Sequence, residues 1–151
     1  ESWGFRVLFR LRIESELAAN AAALTIAQFV TIAKLPSYEF GITRHSRLRD
    51  CGTANVFPVA GKEVWGAVYD VSDADLVVMD GFEDGYHREI LAVYTPNNHR
   101  QPLQVLVYVA AIETDVPPPN PEYKRLILEG ARYWNMPSNY IAMLATIPTS
   151  G

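Results

Sequence analysis

Apolar and polar side chains alternate through most of the middle of this chain, which is the signature of strands with one face on a core. The clearest run is Val64-Trp65-Gly66-Ala67-Val68-Tyr69. Asn55 to Val59 and Glu63 to Val71 predict a hairpin across Ala60-Gly61-Lys62, and Gln28 to Ala33 and Tyr38 to Ile42 predict two strands around a Pro36-Ser37 turn. His87 to Tyr94 and Leu103 to Ile112 predict two more, separated by a polar loop from Pro96 to Pro102. Phe5, Val7, Phe9, Leu11 and Ile13 alternate in the same way and predict an N-terminal strand over 5–13. Helical signals lie elsewhere. Ser72 caps a short segment carrying Leu76, Val77 and Met79, with Asp73 and Asp75 in its first turn. Residues 14–25 are Ala-rich, and Glu122 to Trp134 and Ser138 to Ala145 follow the proline cluster Pro117 to Pro121. Strands in the middle and helices at the end predict an α+β fold with a mainly antiparallel or mixed sheet, not a doubly wound one.

Composition narrows the class. A chain of 151 residues with 49% hydrophobic side chains predicts one domain, residues 1–151, with a sizeable core. The net charge is −4, the pI is near 5.3, and no basic stripe is present, so nucleic acid is not an expected partner. The densest basic run, Arg44, Arg47 and Arg49 with His45 among them, reads as a solvated loop, with an anion-binding rim as the second reading. A single Cys51 allows no internal disulfide and fits a reducing compartment. No apolar run is long enough for a membrane span, and the first residues lack the compact apolar block of a signal peptide. A soluble cytoplasmic protein without a membrane partner is the expectation. His45, His87 and His99 do not have metal-ligand spacing and no Gly-rich phosphate loop occurs, so neither a metal nor a cofactor is expected.

The segment with candidate chemistry is Met79-Asp80-Gly81-Phe82-Glu83-Asp84-Gly85-Tyr86. It puts the carboxylate Glu83 at a helix-to-loop junction with glycines on either side. Further on, Pro117-Pro118-Pro119-Asn120-Pro121-Glu122-Tyr123-Lys124 opens a helix containing Gly130-Ala131-Arg132, and Met136-Pro137-Ser138-Asn139-Tyr140 opens another. From about Ala27 to Pro148 this order resembles the gamma-glutamylcyclotransferase family, including its AIG2-like and butirosin-pathway relatives. The resemblance implies a small mixed β-barrel with flanking helices. It also implies a gamma-glutamyl compound as small-molecule partner, whose α-amine attacks its own γ-carbonyl to give 5-oxoproline. Glu83 matches the family's general acid/base, and an apolar setting from Phe82, Trp65 or Tyr86 would raise its pKa into a useful range. Asp80 and Asp84 are its competitors, the first suited to a core hydrogen bond and the second to water. Tyr123 matches a tyrosine lining the family's pocket. Tyr86 is the second candidate for substrate contact, and packing is the alternative role for both, as it is for Tyr140.

One family feature is missing. The family begins with a strand and a Tyr-Gly-Ser-Asn loop whose backbone N–H groups cradle the substrate carboxylate; here Leu11-Arg12-Ile13-Glu14 stands instead, with bulk in place of glycine and a repelling charge. Residues 1–26 are atypical for this reason. Phe9 to Leu17 can be encoded TTT CGC CTA CGG ATC GAA TCT GAA CTT. Advanced by one base, the string reads Phe-Ala-Tyr-Gly-Ser-Asn-Leu-Asn, the missing motif in its expected place. The expectation is an N-terminal segment read out of the ancestral frame, with the frame restored between about Ala18 and Ala27, and ordinary divergence as the alternative. Function then divides into two classes. Either the chain cyclises gamma-glutamyl compounds with Glu83, or it is a catalytically impaired scaffold or binding module that keeps the fold without the clamp. A homo-oligomer is left open.

Overall fold

The computed structural model describes residues 8–11, 28–47, 49–71, 77 and 85–150. The Ala-rich stretch 14–25, Glu83 and most of the expected helix after Ser72 lie outside the described residues; Val77 is helical and exposed.

Two long antiparallel strands form the body. β2, Gln28–Ser46, and β3, Cys51–Asp70, pair from Gln28↔Asp70 to Pro36↔Glu63 and again from Tyr38↔Pro58 to Ser46↔Cys51. Between these stretches Ser37 (φ 63°) faces the excess residues around Gly61 (φ 83°). The Pro36-Ser37 and Ala60-Gly61-Lys62 signals therefore mark a shared kink in two continuous strands. The expected hairpin across residues 60–62 does not form: its two arms pair with β2 and not with each other. Turn residues are also what a bulge requires, and only the pairing partner separates the two outcomes. The actual reversal is the turn after Ser46, where Asp50 adopts φ 52°.

β4, Tyr86–Thr95, and β5, Asn98–Ala110, form a hairpin that closes at Thr95↔Asn98. β5 begins earlier than the apolar pattern suggests, because Asn98 Oδ1 accepts from the backbone N–H groups of Arg100 and Gln101 and organises a polar, exposed strand end. β1, Leu8–Leu11, lies parallel to β3 (Leu8↔Ala67 to Leu11↔Asp70) and antiparallel to β5 (Phe9↔Val107 to Leu11↔Val105). With β4 meeting β2 at Lys34↔Tyr94, the strands close as a mixed barrel in the order β1-β3-β2-β4-β5. The fold is thus α+β with a small mixed barrel.

Among the described residues, two helices cover the barrel. α1, Pro121–Tyr133, starts where Asn120 Oδ1 accepts from the Tyr123 N–H, with Pro121 in the first turn and Arg132 in the last. It buries Tyr123, Ile127 and Ala131 at the spacing of one helical face, and α2, Ser138–Ala145, adds Tyr140 and Leu144. These pack on Ala33, Leu35, Val56, Val64, Val68, Val93, Val105 and Val107 from the strands. Lys124 Nζ donates to the Ala145 and Ile147 carbonyls (2.7 and 2.6 Å) and joins the two helices. Beyond the end of α1, Trp134 stacks on Phe29 of β2 with centroids 3.6 Å apart.

The first half of β3 carries the main structural demand. Cys51 to Val56 are six consecutive buried residues, yet β1 reaches only Ala67 to Asp70 on that edge of the strand. Backbone groups there need partners that strands do not supply. Asn55 meets much of the need for the adjoining strand end: its side-chain amide donates to the Ala110 carbonyl and accepts from the Ala110 N–H, each at 2.9 Å, as a neighbouring peptide would. The same Nδ2 reaches Thr43 Oγ1 at 2.9 Å, so one side chain joins β2, β3 and β5. Asn55→Ala strands a buried donor and a buried acceptor at Ala110. The expected loss is about 2–3 kcal/mol, read as a lower urea midpoint at unchanged slope.

Candidate functional site

The rim at the start of β3 gathers the end of β2, the start of β4, the end of β5 and the start of α1. Two phenols meet there on one residue. Tyr86, the first residue of β4, donates from Oη to the Ala54 carbonyl at 2.6 Å, and Tyr123 Oη accepts from the Ala54 N–H at 3.0 Å. Register explains why Ala54 is available: its strand partner is Ile42, and these bonds leave the opposite edge of β3. Thr53 Oγ1 lies 3.3 Å from Tyr86 Oη and donates to the Arg44 carbonyl at 3.1 Å. Gly52 N–H donates to the Pro118 carbonyl, tying the proline-rich loop to the same edge.

Charge is concentrated beside the phenols. Arg44 Nη1 pairs with Glu113 Oε2 at 2.6 Å, and its guanidinium sits 5.9 Å from the Tyr86 ring centroid. The Glu113 backbone N–H donates to the Thr43 carbonyl, while its Oε1 accepts from the His45 N–H at 3.3 Å. The Arg44 hydrogen bond, with the His45 N–H second, holds the Glu113 carboxyl below the usual carboxylate range. Arg49 covers the Tyr123 ring at 5.1 Å from its centroid. Arg44 therefore does not belong to a solvated loop, whereas Arg47 and Arg49 lie in the turn after Ser46, Arg47 exposed and Arg49 half-buried. Arg44 lies in β2, only 17% exposed, and Arg49 packs on an aromatic.

The two tyrosine candidates thus come together, both bonded to Ala54. Tyr123 is buried at 3% exposure and Tyr86 is half-buried. Glu83 lies outside the described residues, and the chain re-enters at Gly85 on this rim. Glu113 and Asn55 were not legible as site residues, and Arg44 was named only together with Arg47 and Arg49, as the anion-binding rim of the second reading. Arg44 was masked by its basic neighbours, and Glu113 lies at a strand end without a motif. Among the described residues no group of three or more His, Cys, Asp or Glu is placed to hold a metal, and no helix is long and apolar enough to cross a membrane. Cys51 is buried. A separate cavity of about 10 Å³ between the barrel and the helices, lined by Phe40, Trp65, Ile127, Met136, Tyr140 and Leu144, has room for no more than a water. Burial pushes the Tyr140 phenol pKa up.

Comparison with known proteins follows the same outline. The AIG2-like family model matches residues 63–144. A human protein named gamma-glutamylcyclotransferase is 27% identical over 128 residues, covering 80% of this chain and 67% of that protein. A solved structure of a gamma-glutamyl cyclotransferase superposes with a TM-score of 0.76 at 24% identity, covering 95% of this chain and 89% of its own. A crystal structure of a human protein described as uncharacterized gives 0.75 at 24% identity, over 94% and 88%. At those identities the two structures establish a shared fold.

The geometry of Glu113 sets a pH dependence. Its folded pKa is depressed, so its contribution to stability is present above the ordinary carboxylate pKa and is lost as pH falls through the lower folded value. Thermal melts from neutral to acid pH should show this loss in the parent protein and a smaller loss in Glu113→Gln. Identical acid profiles would mean that the pair with Arg44 does not form in solution.

Proposed function

This chain belongs to the AIG2-like family, and on that premise we propose that it cyclises a gamma-glutamyl amine or amino acid to 5-oxoproline, with Glu83 as general acid/base. The substrate's α-amine nitrogen attacks its own γ-carbonyl carbon. The new C–N bond closes the five-membered ring, and the bond to the leaving nitrogen breaks. Glu83 takes the proton from the attacking amine and returns it to the leaving nitrogen, so no water or other co-reactant is consumed. Because the two reacting groups belong to one molecule, folding the substrate supplies much of the acceleration. The protein adds proton transfer and stabilisation of the oxyanion.

One observation carries the reading. The chain leaving Glu83 is fixed two residues later, where Gly85 lies against Arg44 and Tyr86 is hydrogen-bonded to Ala54. Tyr123 binds the same Ala54 peptide. The likeness to the human gamma-glutamylcyclotransferase supports the substrate class. In this reading Tyr86 and Tyr123 shape the rim beside the substrate, their hydroxyls engaged with the backbone.

The impaired-scaffold reading has a specific observation behind it as well. β1 ends at Leu11, and Arg12-Ile13-Glu14 follows where the family places a Gly-Ser-Asn loop. Under the shifted reading frame Tyr replaces Leu11 and Gly-Ser-Asn begins one residue beyond the strand end. The coding bases decide between a shifted frame and divergence, since most codon choices for residues 9–16 cannot yield the motif.

Two measurements test the proposal. In a panel of gamma-glutamyl compounds assayed for 5-oxoproline, Glu83→Gln should lower kcat by about 100-fold or more, the range of a general acid/base. Undiminished turnover in that variant would remove Glu83 from the chemistry, and no turnover in the parent favours the scaffold. Recoding residues 9–16 to Phe-Ala-Tyr-Gly-Ser-Asn-Leu-Asn, with the frame restored to about Ala27, should tighten binding of a gamma-glutamyl amide. A recovered set of carboxylate hydrogen bonds contributes ~1.5–3 kcal/mol, or roughly one to two decades in Kd by calorimetry. Equal binding by a well-folded recoded protein would contradict the clamp.

A further inference from the structure

We infer that Arg44 is a positioning residue for Glu83: held by Glu113, it braces Gly85 and Tyr86, the backbone through which the catalytic segment joins β4. The inference rests on the proposed role of Glu83.

Three observations converge on it. Gly85 adopts φ 84°, a conformation that L side chains rarely take. A methyl group built on Gly85 would lie 2.1 Å from Arg44 Nη2 and 2.3 Å from Cζ, so the guanidinium occupies the space that only glycine leaves open. The Arg44 end is a flexible one, but here it is fixed from two sides, by the 2.6 Å bond to Glu113 and by the Tyr86 ring. Glu113 is itself anchored through its backbone bond to Thr43 and its carboxylate contact with the His45 N–H.

A planar guanidinium suits this place. It sits against Gly85 and 5.9 Å from the Tyr86 ring centroid while one of its nitrogens donates to a carboxylate, three contacts that a compact ammonium cannot make together. Gly85 is two residues from Glu83 along the chain, so fixing Gly85 fixes one end of the segment that carries the proposed acid/base. General acid/base catalysis depends on such placement, since the same carboxylate must reach both the attacking and the leaving nitrogen.

The test combines backbone NMR with turnover in the full chain. In a folded Arg44→Ala protein the Gly85 and Tyr86 amides should exchange at least about tenfold faster than in the parent, while Ala54 and Ala110 stay protected. For 5-oxoproline release kcat should fall about 10–100-fold with KM changed less than threefold, added methylguanidinium should restore part of kcat, and Arg44→Lys should recover less than half. Unchanged Gly85 and Tyr86 amides in folded Arg44→Ala overturn the inference, as do loosened amides with unchanged kcat, or full recovery by lysine. A parent protein that releases no 5-oxoproline overturns the functional reading instead, and the NMR comparison then still decides whether Arg44 braces the segment. Should Arg44→Ala fail to fold, Glu113→Gln takes its place: it keeps the cation but removes the charge that holds it, and should loosen the same two amides to a smaller degree. Tight amides in that variant overturn the inference.

Discussion

A buried strand edge without a strand neighbour is the constraint on which this structure turns. The first half of β3 is covered on both faces, yet its outer edge is too far along the barrel for β1 to reach. Buried backbone groups left unpaired there would each cost about 1–3 kcal/mol. The protein answers with side chains. An asparagine amide mimics a peptide toward Ala110, and two phenols take the N–H and carbonyl of Ala54. Those side chains come from β3, β4 and α1. Satisfying one edge therefore locks four parts of the chain into one rim.

The same economy shapes the candidate site. Tyr86 cannot hold Ala54 without fixing the start of β4, and the segment carrying Glu83 runs directly into that start. Arg44 adds a second point of attachment one residue earlier, at Gly85. Structural satisfaction and catalytic placement are in this account two effects of one set of bonds. The weak point is the sequence that follows β1, Arg12-Ile13-Glu14, whose composition does not suit a carboxylate cradle. The proposed role of Glu83 and the proposed loss of a carboxylate clamp give opposite forecasts for activity, which is why turnover and binding must be measured separately.

Much of the fold was legible because its signals are periodic. Val64 to Val68 read as a strand and are one, although buried on nearly every residue and not in alternation; α1 shows one apolar face behind a proline-rich start, and the α+β class follows from their order. Partner choice was not legible. Gly61 looked like a hairpin turn, and nothing local says that Pro36-Ser37 sits opposite it. In the site, Glu83 and Tyr123 stood out through resemblance and flanking glycine or proline. Asn55 and Glu113 did not, and Arg44 did only as one of a basic run, because their roles rest on contacts with residues far away in sequence, 55 positions for Asn55 to Ala110 and 69 for Arg44 to Glu113.

Native-state amide hydrogen exchange tests the central claim most directly. Ala54 and Ala110 N–H groups donate to side-chain oxygens, of Tyr123 and Asn55, instead of to a neighbouring strand. If those side chains complete the edge, both amides should exchange only through global unfolding, at the rate of the central β2–β3 ladder. Tyr123→Phe should then release Ala54 selectively. Fast exchange of Ala54 and Ala110 in the parent protein, typical of an open strand edge, would contradict the account.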